Sequence, residues 1–114
     1  TSLIQNDPTT YNVPSNGTIN ILKTGVYSIV AGLSTSNLPA GNIKYIIAVF
    51  KNGVLYNYLI RGIANNPATD EFGFSGSTGI AANAGDVIKI RYVLNNGGTP
   101  LDAKYINIGI TRLK

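Results

Sequence analysis

At 114 residues the chain is the length of one domain, and residues 1–114 are read as a single unit able to bury about two thirds of its unfolded surface. Apolar residues make up 44% and charged residues 12%, which excludes disorder, and the longest apolar run, Tyr45 to Phe50, is far short of the ~20 residues of a spanning helix. Cys and His are both absent, so disulfide scaffolds, thiolate nucleophiles, zinc–thiolate sites and imidazole bases are excluded.

The net charge is +4, from 9 bases and 5 acids. The bases Lys23, Lys44, Lys51, Arg61, Lys89, Arg91, Lys104, Arg112 and Lys114 are spread along the chain, with no cluster beyond Lys89/Arg91. A phosphate-tracking surface gathers its bases on one face with aromatics between them, so neither nucleic acid nor membrane insertion is expected. The chain starts without Met or a signal-like region, as expected of a processed protein or an excised domain.

Short β-branched and tyrosine-rich stretches alternate with Asn/Gly/Pro clusters, and no segment keeps a 3.6-residue period. The pattern predicts an all-β domain. In chain order, Ser2–Asn6 reads as a first strand stopped by Asp7-Pro8, and Thr18–Leu22 follows the Asn16-Gly17 turn. Asn16-Gly17-Thr18 is also a glycosylation sequon, read here as a turn. Lys23-Thr24-Gly25 then turns the chain into a strand over Val26–Thr35. There Tyr27, Ile29, Ala31 and Leu33 share one face, and Val26, Ser28, Val30 and Gly32 the other.

Ser36–Asn42 reads as a loop and Ile43–Lys51 as a strand. Asn52-Gly53 between two apolar runs is the strongest hairpin signal, because both residues tolerate the positive φ of a type I′ turn. Val54–Ala64 returns, Asn65–Asp70 is a loop, and Glu71–Ala82 is a Gly/Ser-rich strand. Val87–Asn95 follows, with Ile88, Ile90, Tyr92 and Leu94 on one face and Lys89 and Arg91 on the other. Asn96–Asp102 is a loop and Ala103–Leu113 the last strand. About eight strands at this spacing predict a two-sheet antiparallel sandwich or barrel. Two strands have a second face that is small and weakly polar rather than charged: Val26, Ser28, Val30, Gly32, and Tyr105, Asn107, Gly109, Thr111. Self-association is the economical way to cover such faces.

Four stretches in order resemble the tumour necrosis factor and complement globular-head superfamily. "TINILKTGVYSIVAGLS" resembles its Gly-x-Tyr strand and "AVFKNGVLYN" its central Asn-Gly hairpin. "IAANAGDVIKIRYVL" is similar to its Gly-Asp turn and following strand, and "AKYINIGITRLK" to its terminal strand. The cysteine-free chain looks most like the bacterial and phage branch, the heads of spore-surface collagen-like proteins and of phage spikes or tail fibres. The resemblance implies a ten-strand jelly roll assembled as a homotrimer, with the first, last and Gly-x-Tyr strands lining the threefold axis. It places Tyr27, Ile29, Phe74, Ile80, Ile106, Ile108 and Ile110 in the core, and Ser28, Val30, Ser75, Tyr105, Asn107 and Gly109 at the trimer interface.

Chemistry has little to work with. Asp70/Glu71 is the one adjacent acid pair, but neighbours on a strand point to opposite faces, whereas a glycosidase needs both carboxylates at one bond. Ser75 and Ser77 in "GFSGSTG" mimic a nucleophile elbow without its helix or base. No enzyme activity and no cofactor are expected. Calcium needs only oxygen ligands, and Asp70, Glu71 and Asp102, with Asn65 or Asn96, are the candidates, set against an ordinary surface role. Asp86 in "NAGD" reads as a turn residue capping backbone N–H groups.

Recognition is expected from the loops, through Asn37, Asn42, Asn65, Asn66, Asp70, Asn95, Asn96 and Asp102, whose paired donors and acceptors suit sugar hydroxyls and equally suit turns. The leading expectation is a trimeric head of a surface fibre or spike, outside the cell, attaching to a cell-surface glycan or protein receptor. The alternatives are a module that only trimerises an upstream stalk of the same chain, and a soluble ligand of a protein receptor.

Overall fold

A computed structural model describes residues 7–15, 17–101 and 105–114. The described residues contain nine strands and no helix: β1 (Tyr11–Ser15), β2 (Thr18–Ile21), β3 (Gly25–Leu38), β4 (Gly41–Lys51), β5 (Val54–Asn66), β6 (Asp70–Ala82), β7 (Val87–Asn96), β8 (Thr99–Pro100) and β9 (Tyr105–Arg112). All pairings are antiparallel. One sheet runs β1-β2-β7-β4-β5 with β8 folded back on β7, and the other is β6-β3-β9. This is an all-β two-sheet antiparallel sandwich, as the alternation predicts.

The core fills the space between the sheets. Tyr27, Ile29, Ala31 and Leu33 of β3 are all buried, with Ile80 beside Tyr27 on β6, and they face Ile43, Ile47 and Val49 of β4 and Ile88 and Leu94 of β7. Each fully buried side chain of this size contributes about 1.5–3 kcal/mol by leaving water. Phe74, Ile106, Ile108 and Ile110, expected in the core, are only partly buried and pack against its edge, because β6 and β9 are the edge strands of the three-stranded sheet. Tyr92 shares the inward face of β7 yet stays 38% exposed.

The Gly-x-Tyr motif has a physical basis here. A Cβ on Gly25 would meet the Lys114 carbonyl and, at 2.7 Å, Nε of Arg112, so the start of β3 can lie against the chain's end only as glycine. Two residues on, the fully buried Tyr27 donates its hydroxyl between the carbonyls of Thr10, at 3.2 Å, and Lys23. One side chain thus ties the approach to β1 to the β2–β3 turn.

Several boundaries differ from the sequence reading. Ser36, Asn37 and Leu38 continue β3, and the expected loop Ser36–Asn42 shrinks to Pro39-Ala40 between β3 and β4. A register shift between Thr35 and Leu38, with Asn37 at φ 59°, absorbs the polar residues that read as a loop. Asn65, Asn66 and Asp70 are strand residues, so that loop is only 67–69. Asn96 ends β7, and Gly97 and Gly98, at φ 57° and 91°, make a two-residue turn into β8, inside what read as the loop Asn96–Asp102. Strand β1, which carries Pro14, is not among the strands expected from the sequence. The strand lies at the sheet edge, where a missing N–H is tolerated. The expected strand Ser2–Asn6 and residues 102–104 at the start of the expected last strand lie outside the described residues.

Candidate functional site

The residues expected at a subunit interface are brought onto one surface, the face of β6-β3-β9 that points away from the core. The register sets Ser28 between Gly79 and Thr111, Val30 between Ser77 and Gly109, Gly32 between Ser75 and Asn107, and Ser34 between Gly73 and Tyr105. In an antiparallel sheet opposed residues point to the same side, so these rows form one continuous uncharged surface, small in its side chains except at the exposed Tyr105. Val30, 46% exposed, is its apolar centre.

Gly109 carries information beyond size. Nothing lies within 4 Å of a Cβ built on it, and it does not share the positive φ of Gly85 or Gly97. The fold of one chain therefore makes no demand for glycine there. Glycine inside a strand costs about 0.5–1 kcal/mol relative to alanine and often marks close approach by another backbone.

The asparagine-rich positions gather at one end of the sandwich. Asn42 and Asn65 face each other across β4 and β5, Asn95 pairs with Lys44 and Pro100, and Asp70 opposes Leu38. Some are committed to the fold. Nδ2 of Asn66 donates to the carbonyls of Leu38 (3.1 Å) and Pro39 (3.0 Å), and Nδ2 of Asn96 to that of Ala40 (3.0 Å). Together they hold the two-residue β3–β4 connection. Asn37, Asn42 and Asn65 remain exposed. Beside them a depression of about 350 Å³, lined by Ser34, Ser36, Glu71, Phe72, Gly73 and Tyr105, opens on the small-residue face.

For calcium the geometry offers little. Oδ1 of Asp70 accepts the Glu71 N–H at 2.8 Å, and Asp102 lies outside the described residues. Among the described residues no group of three or more acids, His or Cys could hold a metal ion.

Asp86 sits at the opposite end and joins two turns. Its Oδ2 accepts the Asn83 N–H and its Oδ1 accepts Nδ2 of Asn52, both at 2.9 Å. Oδ1 of Asn52 in turn accepts the Val87 N–H at 2.9 Å, so the two side chains clamp the β4–β5 hairpin to the start of β7. These bonds, first the Asn52 amide and then the Asn83 N–H, hold the Asp86 carboxyl below the ordinary aspartate value. Gly85 at φ 98° makes the turn possible. Asp86 is structural, as its sequence context suggests.

The distribution of charge differs from the scatter expected from the sequence. Bases that look scattered along the chain converge on the outward face of the larger sheet. Lys44, Arg61, Lys89 and Arg91 lie on β4, β5 and β7, all exposed and on the side away from the core. Only the pairing register could reveal this, since Lys44 and Arg91 are far apart in sequence.

No family model matches the chain, and no curated protein matches it in sequence. The fold does have a likeness among solved structures. The crystal structure of pika GITRL matches with a TM-score of 0.52 at 19% identity, over 96% of this chain and 84% of that one. The likeness concerns the fold: this chain is a two-sheet antiparallel jelly roll of the tumour necrosis factor-like kind. It gives no support to a bacterial or phage branch.

Proposed function

We propose that the chain is an extracellular recognition head of the tumour necrosis factor-like type, working as a homotrimer whose subunits meet through the outward face of β6-β3-β9. The observation that carries this reading is Gly109 beside Val30: an open glycine and an exposed valine, centred among Ser28, Ser75, Ser77 and Asn107, on a face without charge at its middle. Such a surface suits close backbone approach by a second copy and suits water poorly. In that assembly the exposed Asn37, Asn42 and Asn65 remain available at one end, offering amide donors and acceptors to a cell-surface receptor or glycan. The activity is binding rather than catalysis.

Sedimentation equilibrium tests the assembly. The 12.1 kDa chain should sediment as a species of roughly 36 kDa at micromolar concentration, three copies under the cyclic symmetry that closes such interfaces. A 12 kDa species under those conditions removes the proposal.

A further inference from the structure

The outward face of the larger sheet is built as a graded row of positive charge. Lys44 opposes Ile63 and Asn95; one step along the strands, Ile46 opposes Arg61 and Val93; next, Ala48 opposes Tyr58 and Arg91; then Phe50 opposes Leu55 and Lys89. Each step is two residues, so a cation recurs about every 7 Å along the strands, and the row from Lys44 to Lys89 is about 20 Å long. No acid stands in these rows. Asp7 precedes β1, Asp86 is spent in its turn, Asp70 and Glu71 open β6 in the other sheet, and Asp102 lies outside the described residues.

Each of the two arginines lies over an aromatic ring. The Arg61 guanidinium lies 4.3 Å from the ring centroid of Tyr58, and that of Arg91 lies 5.4 Å from that of Phe50. Stacking of this kind restrains a long side chain while leaving its N–H fork free for a carboxylate or sulfate. It also occupies a face of each aromatic ring, which weakens the case for stacked bases. The apolar side chains Ile63, Val93 and Leu55 are interleaved with the cations rather than gathered at a tip, the arrangement least suited to entering a lipid surface.

We propose that this face binds an extended acidic polysaccharide, a chain carrying sulfate or carboxylate groups, laid along β7, β4 and β5. The cations meet its anionic groups while Ile46, Val93 and Ile63 pack against its sugar rings. The surface belongs to the sheet opposite the proposed subunit contact, so the inference stands whether the protein is a monomer or a trimer.

The test uses the whole chain on immobilised heparin at about 0.1 M salt, where exposed charges are only partly screened. Binding is expected, and Arg61→Gln with Arg91→Gln should raise the dissociation constant about tenfold or more, through loss of two forked ion pairs. Lys44→Gln with Lys89→Gln, which leaves the stacks intact, should weaken binding in the same direction and keeps the face testable if the arginine pair disturbs folding. Lys23→Gln with Lys114→Gln removes the same net charge away from this face and should change affinity by about twofold or less. Three results overturn the proposal: no binding to heparin, equal losses in the face and control pairs, or tighter binding to single-stranded DNA or phosphatidylserine vesicles than to heparin.

Discussion

On the three-stranded sheet the residues turned away from the core are Ser28, Val30, Gly32, Ser75, Ser77 and Gly109. On the larger sheet they are Lys44, Arg61, Lys89 and Arg91, with Tyr58 and Phe50 beneath the arginines. Both faces arise from the same two-residue alternation over one shared core, so burial cannot account for the difference. A charged sheet face is at ease in water and is stabilised further by its own stacks. A face whose middle is Gly, Ser and Val30 gains little from water and leaves the backbone within reach. In the readings proposed above, the difference lies in the partner each face would meet.

Two exposed valines put this contrast to the largest test. Val30, 46% exposed, and Val93, 40% exposed, occupy the middle of opposite faces. Val30→Asp should dissociate the proposed trimer, because an unpaired charge at the proposed subunit contact would cost on the order of 3 kcal/mol or more. Val93→Asp should leave sedimentation unchanged. Equal behaviour of the two variants would erase the distinction between the faces.

Two glycines of β6 and β9 sharpen it at a smaller scale. A Cβ on Gly76 would press on the Leu59 carbonyl, whereas on Gly109 it would meet nothing. Gly76→Ala should therefore lower stability in urea by about 2–3 kcal/mol. Gly109→Ala should weaken subunit association while leaving a separated subunit as stable or steadier by about 0.5–1 kcal/mol. If Gly109→Ala leaves association untouched, the close approach inferred at this face is wrong.

The anchor beneath the small-residue face comes next. Tyr27→Phe removes the hydroxyl shared by the Thr10 and Lys23 carbonyls and should cost about 1–2 kcal/mol, read as a lower urea midpoint with an unchanged slope.

The smallest effect belongs to the clamp under the charged sheet. The Asp86 carboxyl is depressed in the folded state, so its contribution is full above the ordinary aspartate value and is lost as pH falls through the folded value. Asp86→Asn should lower the melting temperature by a few degrees near pH 7, and the gap should narrow and then close as pH falls below the ordinary aspartate value. A gap that persists in acid would assign the effect to packing rather than to the carboxylate.

Much of the small-residue face was legible in the chain itself. Tyr27, Ile29, Ala31 and Leu33 alternate without interruption, which fixes the core side of β3 and so the outward side of Ser28 and Val30. Asn52 and Gly53, at φ 54° and 83°, form the hairpin that the dipeptide announces. The asparagine-rich end was legible only in part, because Ser and Asn near a strand end read as loop whether or not they pair. Asn66 and Asn96 turn out to hold backbone carbonyls. The charged face was not legible. Lys44, Arg61 and Arg91 become neighbours only through the β5-β4-β7 register, a long-range property that local pattern does not encode.

The clamp between Asn52 and Asp86 also bears on how the molecule ages. Asparagine before glycine is the sequence most open to slow loss of its amide, because glycine offers no side chain to hinder ring closure. Here the amide nitrogen is the donor to Asp86 Oδ1, at 2.9 Å. Once it becomes a carboxylate, two anions stand where a donor met an acceptor, and one of them must take up a proton or swing away. The hairpin would then part from the turn before β7. A bond that steadies the young protein thus marks the place where an old one begins to loosen.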